Sequence, residues 1–413
     1  MDAGGRGRNP NGDSLNEAGP VKSELRVGLA GFAATAVAYG PARTGYGLFA
    51  PDFREEFGLS IGAVGVIGSG LQAGFLFALL ATALLVARLG PRLLVAAGGT
   101  SATVGMLLVA VSPNAATLAS GVIVAGMTAG FCWSPYNDLA RHTVRVRSQA
   151  RVLSVVSTGT TLGIATSGLV ALAAVVGGLP WRAAWLVFVA GAILSAGLNA
   201  LLLPRMPDGA TTRERDVAPG RRPSVGWLSR AGSAPLFVVA SSFGAVNAFY
   251  WSFNADLVSS AGAPLPNAGP TLYAVLGVAG FAGLLTGDLV DRVGLGPTLR
   301  LTLLCLGAGA GLLGVLPGSL VAVGASAVLY GTGVMLMSAL LSVWSSAVFD
   351  ERPSEGFTAA LIFFGVGGVV GPAALGALGS AFGLGTAFAV AAALILLNLP
   401  VRAPKDRPNE DSR

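Results

Sequence analysis

Runs of 17 to 30 apolar residues recur along the whole chain, and nearly every arginine lies between them. A bilayer core about 30 Å thick needs about 20 such residues per helix, because backbone groups in hydrocarbon must satisfy one another. Twelve runs meet that length: 27–50, 61–86, 93–111, 117–140, 152–177, 183–203, 234–258, 268–290, 298–316, 319–348, 357–379 and 384–400. The gaps at 112–116 and 317–319 are the slightest of the breaks. Charged residues make up 11% of the chain and AVILMFWYC 53%, which excludes both a water-soluble fold and a disordered one. The 60 glycines follow no three-residue period, so the chain is not collagen-like. Cys132 and Cys305 both lie inside apolar runs, and His142 is the single histidine, so no disulfide, metal site or cofactor is indicated.

The net charge of +6 does not point to nucleic acid, because the basic residues alternate between two sides of a membrane. One side holds 23 of the 26, among them Arg88, Arg92, Arg141, Arg292 and the Arg-rich segment 205–230; the other holds Arg54 and Arg182, and Arg43 lies within the first run. Both termini are therefore expected in the cytoplasm, with the chain in the plasma (inner) membrane. Trp181 and Trp185 read as outer interfacial anchors and Trp227 as an inner one. The expected organisation is a disordered tail 1–24, a six-helix bundle 25–204, a linker 205–230, a second six-helix bundle 231–400 and a tail 401–413.

The two bundles share a register. Tyr46, Phe49 and Asp52 recur as Tyr250, Phe253 and Asp256, and Arg88-Leu89-Gly90 recurs as Arg292-Val293-Gly294, both at an offset of 204 residues. Parallel six-span repeats with a site between them are a transporter architecture. The loop Gly287-Asp288-Leu289-Val290-Asp291-Arg292-Val293-Gly294 fits the G-x-L-a-D-R-x-G signature at every fixed position, and the chain resembles the major facilitator superfamily over residues 25–400. The resemblance implies an all-α integral membrane protein of two six-helix bundles. It also implies a cytoplasmic gate at Gly287, Asp291, Arg292 and Gly294, with a weaker first-half copy at Arg88 and Gly90, where Ala87 replaces the Asp. Gly159, Gly163 and Gly168 in the fifth run, and Gly367, Gly371 and Pro372 in the eleventh, read as close helix packing, the first stripe being similar to the glycine-rich signature of exporters.

Arg43 is the deep charge. Placed about 25 Å from the cytoplasmic edge, it costs about 2.5–3.5 kcal/mol to insert and calls for a partner. No carboxylate is expected at its height; Asn247 holds the equivalent position, and Asp256 lies further out. A planar guanidinium open to a cavity suits a carboxylate or phosphate. Two other placements satisfy the same residue: snorkelling to the outer interface, or bonding to carbonyls freed around Gly40, Pro41, Gly45 and Gly47. Tyr46, Asn247, Tyr250, Trp251 and Phe253, with Trp133 and Trp344, are candidate pocket walls. Asp256 is the candidate for coupling a co-transported proton, with a gate or structural role as the competing reading.

A Walker phosphate loop is absent and the only lysines, Lys22 and Lys405, lie in the tails, so no ATP-driven pump is encoded. No H-E-x-x-H or paired-acid set supports an enzyme. The expectation is a monomeric secondary carrier for a small organic solute, anionic and of the carboxylate type. The alternatives are a proton-linked multidrug or metabolite exporter and a transport-inactive receptor of the same fold.

Overall fold

The structure, a computed structural model, describes residues 14–203, 230, 232–262 and 267–404. The tail before residue 14, the linker 204–229 with Trp227, and the tail from 405 lie outside the described residues. Every regular element among the described residues is helical. Among the described residues nine segments are long and apolar enough to cross a bilayer, against the twelve runs expected. α4 (Ile61–Ala110) holds both the second and the third run, as two helices joined by a sharp turn at Gly90, where φ is 76° and ψ 159°; as one straight rod its 50 residues would extend about 75 Å. The first run is broken into α1 (Ser14–Tyr39), α2 (Pro41–Leu48) and α3 (Ala50–Phe57): Pro41 has no N–H to continue the ladder from α1, and Pro51 stands in the first turn of α3. The last helix, α15 (Leu384–Leu396), has 13 residues.

α1 also begins inside the segment 1–24 expected as a tail, since backbone hydrogen bonding propagates beyond the residues that hydropathy marks. The remaining elements are α5 (Ala115–Gly130), α6 (Trp133–Thr143), α7 (Val146–Val176), α8 (Trp181–Leu202), α9 (Ser233–Ser260), α10 (Ala268–Ala279), α11 (Thr286–Val293), α12 (Leu295–Val315), α13 (Leu320–Val348) and α14 (Pro353–Phe382), with a 3-10 turn Gly280–Leu285 joining α10 to α11. Both slight breaks are capped: Asn114 Oδ1 accepts from Thr117 N at 2.9 Å and Ser319 Oγ from Ala322 N at 3.4 Å.

The repeat is visible in the backbone. Gly58 and Gly262, 204 residues apart, both adopt φ 63°, and Gly90 and Gly294, at the same offset, adopt φ 76° and 88°. Left-handed backbone at matched turns is a costly conformation for any residue with a Cβ, so both copies keep glycine.

The halves meet along α4 against α14, α7 against α10, and α2 and α3 against α9. Ser69 Oγ accepts from Ala373 N at 3.0 Å, Gly65 lies against Pro372, and Gly168 lies against α10 near Ala274. The contacts of α4 run from Ile61 to Leu76, on the Ile61 side of Gly90, and those of α14 from Gly365 to Ser380. The seam is therefore closed from the face carrying Arg54, expected to be outer, to about mid-membrane.

Candidate functional site

Arg43 projects from α2 and is half-buried where the halves meet. Its Nη2 donates to Gln72 Oε1 on α4 at 3.0 Å. Its guanidinium carbon lies 4.5 Å from the ring centre of Phe75, 5.5 Å from that of Phe364 and 5.8 Å from that of Tyr39. Phe75 belongs to the first half and Phe364 to the second, so the cation stands in the seam. Gln72 is eleven residues from the start of α4 and Phe364 eleven from the start of α14, at opposite faces, each about 16 Å in. Arg43 thus sits near the middle of the bundle. Among the described residues no carboxylate forms an ion pair with it. Cation–ring contacts of this kind contribute about 0.5–2 kcal/mol each, and a neutral amide is an easily exchanged partner for a guanidinium.

The expected wall residues are placed differently from one another. α2 and α9 do meet, with Gly47 packed on the Trp251 carbonyl, which accepts the Tyr273 hydroxyl at 2.9 Å. Tyr46 is buried and its hydroxyl donates to the Val64 carbonyl at 2.9 Å. The Tyr250 hydroxyl meets Ser326 Oγ at 3.1 Å while its ring stacks on Tyr330 at 3.5 Å between centres, inside the second half. Asn247 Oδ1 accepts from Trp251 Nε1 at 3.0 Å. Phe253 is buried against Phe249, Trp133 is half-buried at the start of α6, and Trp344 is buried in α13 with an indole N–H that meets no acceptor among the described residues. The structure therefore does not gather these seven around Arg43; most have their polar tips engaged in helix packing. Gln72, Tyr39, Phe75 and Phe364, which do surround it, were not expected. A lone amide within the apolar run Val66–Phe77 was the available signal for Gln72.

Asp256 is held by Arg54. Arg54 Nη1 lies 2.7 Å from both Asp256 oxygens and its Nε donates to the Leu59 carbonyl at 3.3 Å. The pair crosses the seam between α3 and α9 at the Arg54 face. On the same face, Arg182 and the Trp181 indole share Glu56, and Arg182 stacks 4.2 Å over the Trp181 ring. Burial alone would raise the Glu56 carboxyl, but the hydrogen bonds from Arg182 and Trp181, with the Arg182 charge, outweigh it and hold Glu56 below its ordinary value. Trp185 is no interfacial anchor: it is buried among Phe49, Phe53 and Phe188.

At the Gly90 face, Arg88, Gly287, Asp291 and Arg292 are exposed, and among the described residues none of them forms an ion pair, while Gly90 and Gly294 make the paired turns. The glycine stripes lie at close crossings. A Cβ at Gly159 or Gly163 would collide with α1 at Phe32 or Ala36, one at Gly168 with α10, and one at Gly367 or Gly371 with α9 at Ser241 or Ala245; Pro372 packs on α4 at Gly65 and Gly68.

The sequence profile described as Major Facilitator Superfamily matches residues 32–360. Among solved structures, a mutant of the nucleoside transporter NupG superposes with a TM-score of 0.72 at 11% identity, covering 91% of this chain and 98% of that one. A second NupG structure gives 0.67 at 13% identity, covering 91% and 97%. At these identities the likeness is one of fold. No curated protein sequence matches the chain.

Proposed function

The chain belongs to the Major Facilitator Superfamily, and we propose that it moves a small organic anion of the carboxylate class across the membrane by alternating access, with Arg43 holding the acid. The observation that carries this reading is a guanidinium near mid-membrane whose hydrogen-bond partner is the neutral Gln72. A carboxylate replacing Gln72 would make charge-assisted, bidentate bonds, each adding about 1.5–3 kcal/mol. Such a gain arises only when the substrate is present. It loosens Gln72, which also lies against Gly368 of α14, and so acts on the seam between the halves. Tyr39, Phe75 and Phe364 supply apolar ring faces for the rest of the solute.

In this scheme Arg54 and Asp256 form the outer gate, closed here, and Asp291 with Arg292 closes the cytoplasmic side when the outer gate opens. Pairing with Arg54 makes gating the first role of Asp256, with any proton coupling acting through the same bond. The excess of Arg in alternate loops supports cytoplasmic termini, and this reading takes the protein to lie in the plasma (inner) membrane.

A second reading is favoured by the ring faces and amide beside Arg43 together with the fold shared with nucleoside transporters: a neutral heterocyclic solute such as a nucleoside. Uptake into proteoliposomes separates the two. On the anion reading, labelled carboxylates enter and Arg43→Ala abolishes their uptake while membrane insertion and folding are kept; full transport by that variant removes the anion reading. On the neutral reading, nucleosides enter, Arg43→Ala retains uptake and Gln72→Leu loses it.

A further inference from the structure

One cavity lies apart from the seam. Residues of α1, the second segment of α4, α5 and α8 enclose a cleft of about 300 Å³ inside the first half, walled by small side chains such as Ala34, Val95, Gly98, Ala192 and Ala196. Ala96, Thr100 and Ala200 on its rim are exposed, so the cleft opens sideways, where lipid tails would lie. From Arg92 to Ala102 it follows ten residues of α4, about 15 Å. Its volume matches roughly ten groups of about 30 Å³ each, the size of a water or a methylene. The polar groups in the wall are mostly engaged: Asn199 Nδ2 donates to the carbonyls of Ala30 and Ser195 at 3.2 and 2.8 Å. Thr128 Oγ1 meets no partner among the described residues, and can rotate toward a carbonyl of its own preceding turn.

Arg92 stands at the mouth, next to the Gly90 turn. Its Nη2 donates to the Ala200 carbonyl at 2.7 Å, leaving four N–H donors, and among the described residues no carboxylate pairs with it. An apolar slot with a cation at its interfacial end is complementary to an amphiphile with an anionic head. Basic pockets between helices at the cytoplasmic side take such head groups, and the guanidinium fork fits a phosphate. We propose that the cleft binds one acyl chain of an anionic glycerophospholipid from the cytoplasmic leaflet, with Arg92 on its phosphate. The chain fills a void that would otherwise lack contacts, and wedges α4 and α8 apart at the Gly90 face.

Native mass spectrometry of the purified full-length protein, offered equimolar dioleoyl phosphatidylglycerol and dioleoyl phosphatidylcholine, tests this. The expected result is one retained phosphatidylglycerol, preferred about five-fold, the ratio that corresponds to about 1 kcal/mol for one basic residue at the surface. Arg92→Gln brings the ratio near one. Ala196→Phe, or Ala96→Phe at the rim, fills the cleft and lowers retention of both lipids about five-fold or more, and Arg402→Gln, an exposed arginine outside the cleft, leaves the ratio unchanged. Equal retention of the two lipids by the native chain overturns the proposal without any variant. So does a preference that survives Arg92→Gln, or retention untouched by both fillings, in protein that keeps its Tm.

Discussion

Replacing Asp256 by Asn removes a charge from the outer seam while keeping the side chain's shape. The carboxylate is 5% exposed and its partner Arg54 30%, with Nη1 2.7 Å from Oδ2. A fully exposed pair contributes about 0–1 kcal/mol, and breaking a buried one costs about 3–5 kcal/mol. This pair falls between, at about 2 kcal/mol, because Arg54 once released can turn to water and recover hydration while Asp256 cannot. The bond exists only while the halves meet at this face, so the loss falls on the outward-closed state alone and shifts the closed-to-open ratio about 30-fold. Spin labels on Val176→Cys and Ser260→Cys, exposed at the ends of α7 and α9 on this face, report that ratio as a distance distribution, with Cys132 and Cys305 replaced by Ala. Asp256→Asn should move population to the longer distance, and the exchange Arg54→Asp with Asp256→Arg should move it back. An unchanged distribution in Asp256→Asn refutes the gate.

At the other face, Asp291→Asn should slow transport cycling more than Ala87→Asp changes it, measured as uptake rate at saturating substrate; equal, negligible effects defeat the asymmetric latch. Gly163→Ala should cost about 1–3 kcal/mol, read as a lower Tm, because its Cβ meets the Ala36 backbone, which has no rotamer to yield; Gly191→Ala, with nothing within 4 Å, should leave Tm unchanged or slightly raised. Glu56 titrates below its ordinary value of 4.5 in the folded protein, so its contribution is present above the unfolded carboxylate range and lost as pH falls through the lowered folded pKa. The Tm gap between the native chain and Glu56→Gln should accordingly narrow as pH falls below the ordinary carboxylate range, and a gap independent of pH would contradict the shared Arg182 and Trp181 contact.

Legibility in the sequence followed the range of the interaction. Apolar run length fixes a membrane solvent residue by residue, so class was readable from the runs and family from the loop signature Gly287–Gly294, while the 204-residue register that pairs Arg88-Leu89-Gly90 with Arg292-Val293-Gly294 falls on glycines that both adopt positive φ. What the runs could not show was where helices break: Gly90 and Pro41 change the backbone without changing hydropathy, so among the described residues the second and third runs form one segment turning at Gly90, the first divides at Pro41, and the last keeps only 13 helical residues.

Partners chosen across the seam were beyond reach. Arg54 and Asp256 are 202 residues apart, and Arg43 reaches Gln72 from one helix and Phe364 from the opposite half. Likewise, Tyr46 and Tyr250 looked like pocket walls by composition, and only packing shows their hydroxyls turned to Val64 and Ser326. The residue string determined which surfaces must avoid water, because that preference belongs to each side chain alone. Only the folded chain decided which polar atoms find one another, because that depends on how the two bundles pack against each other.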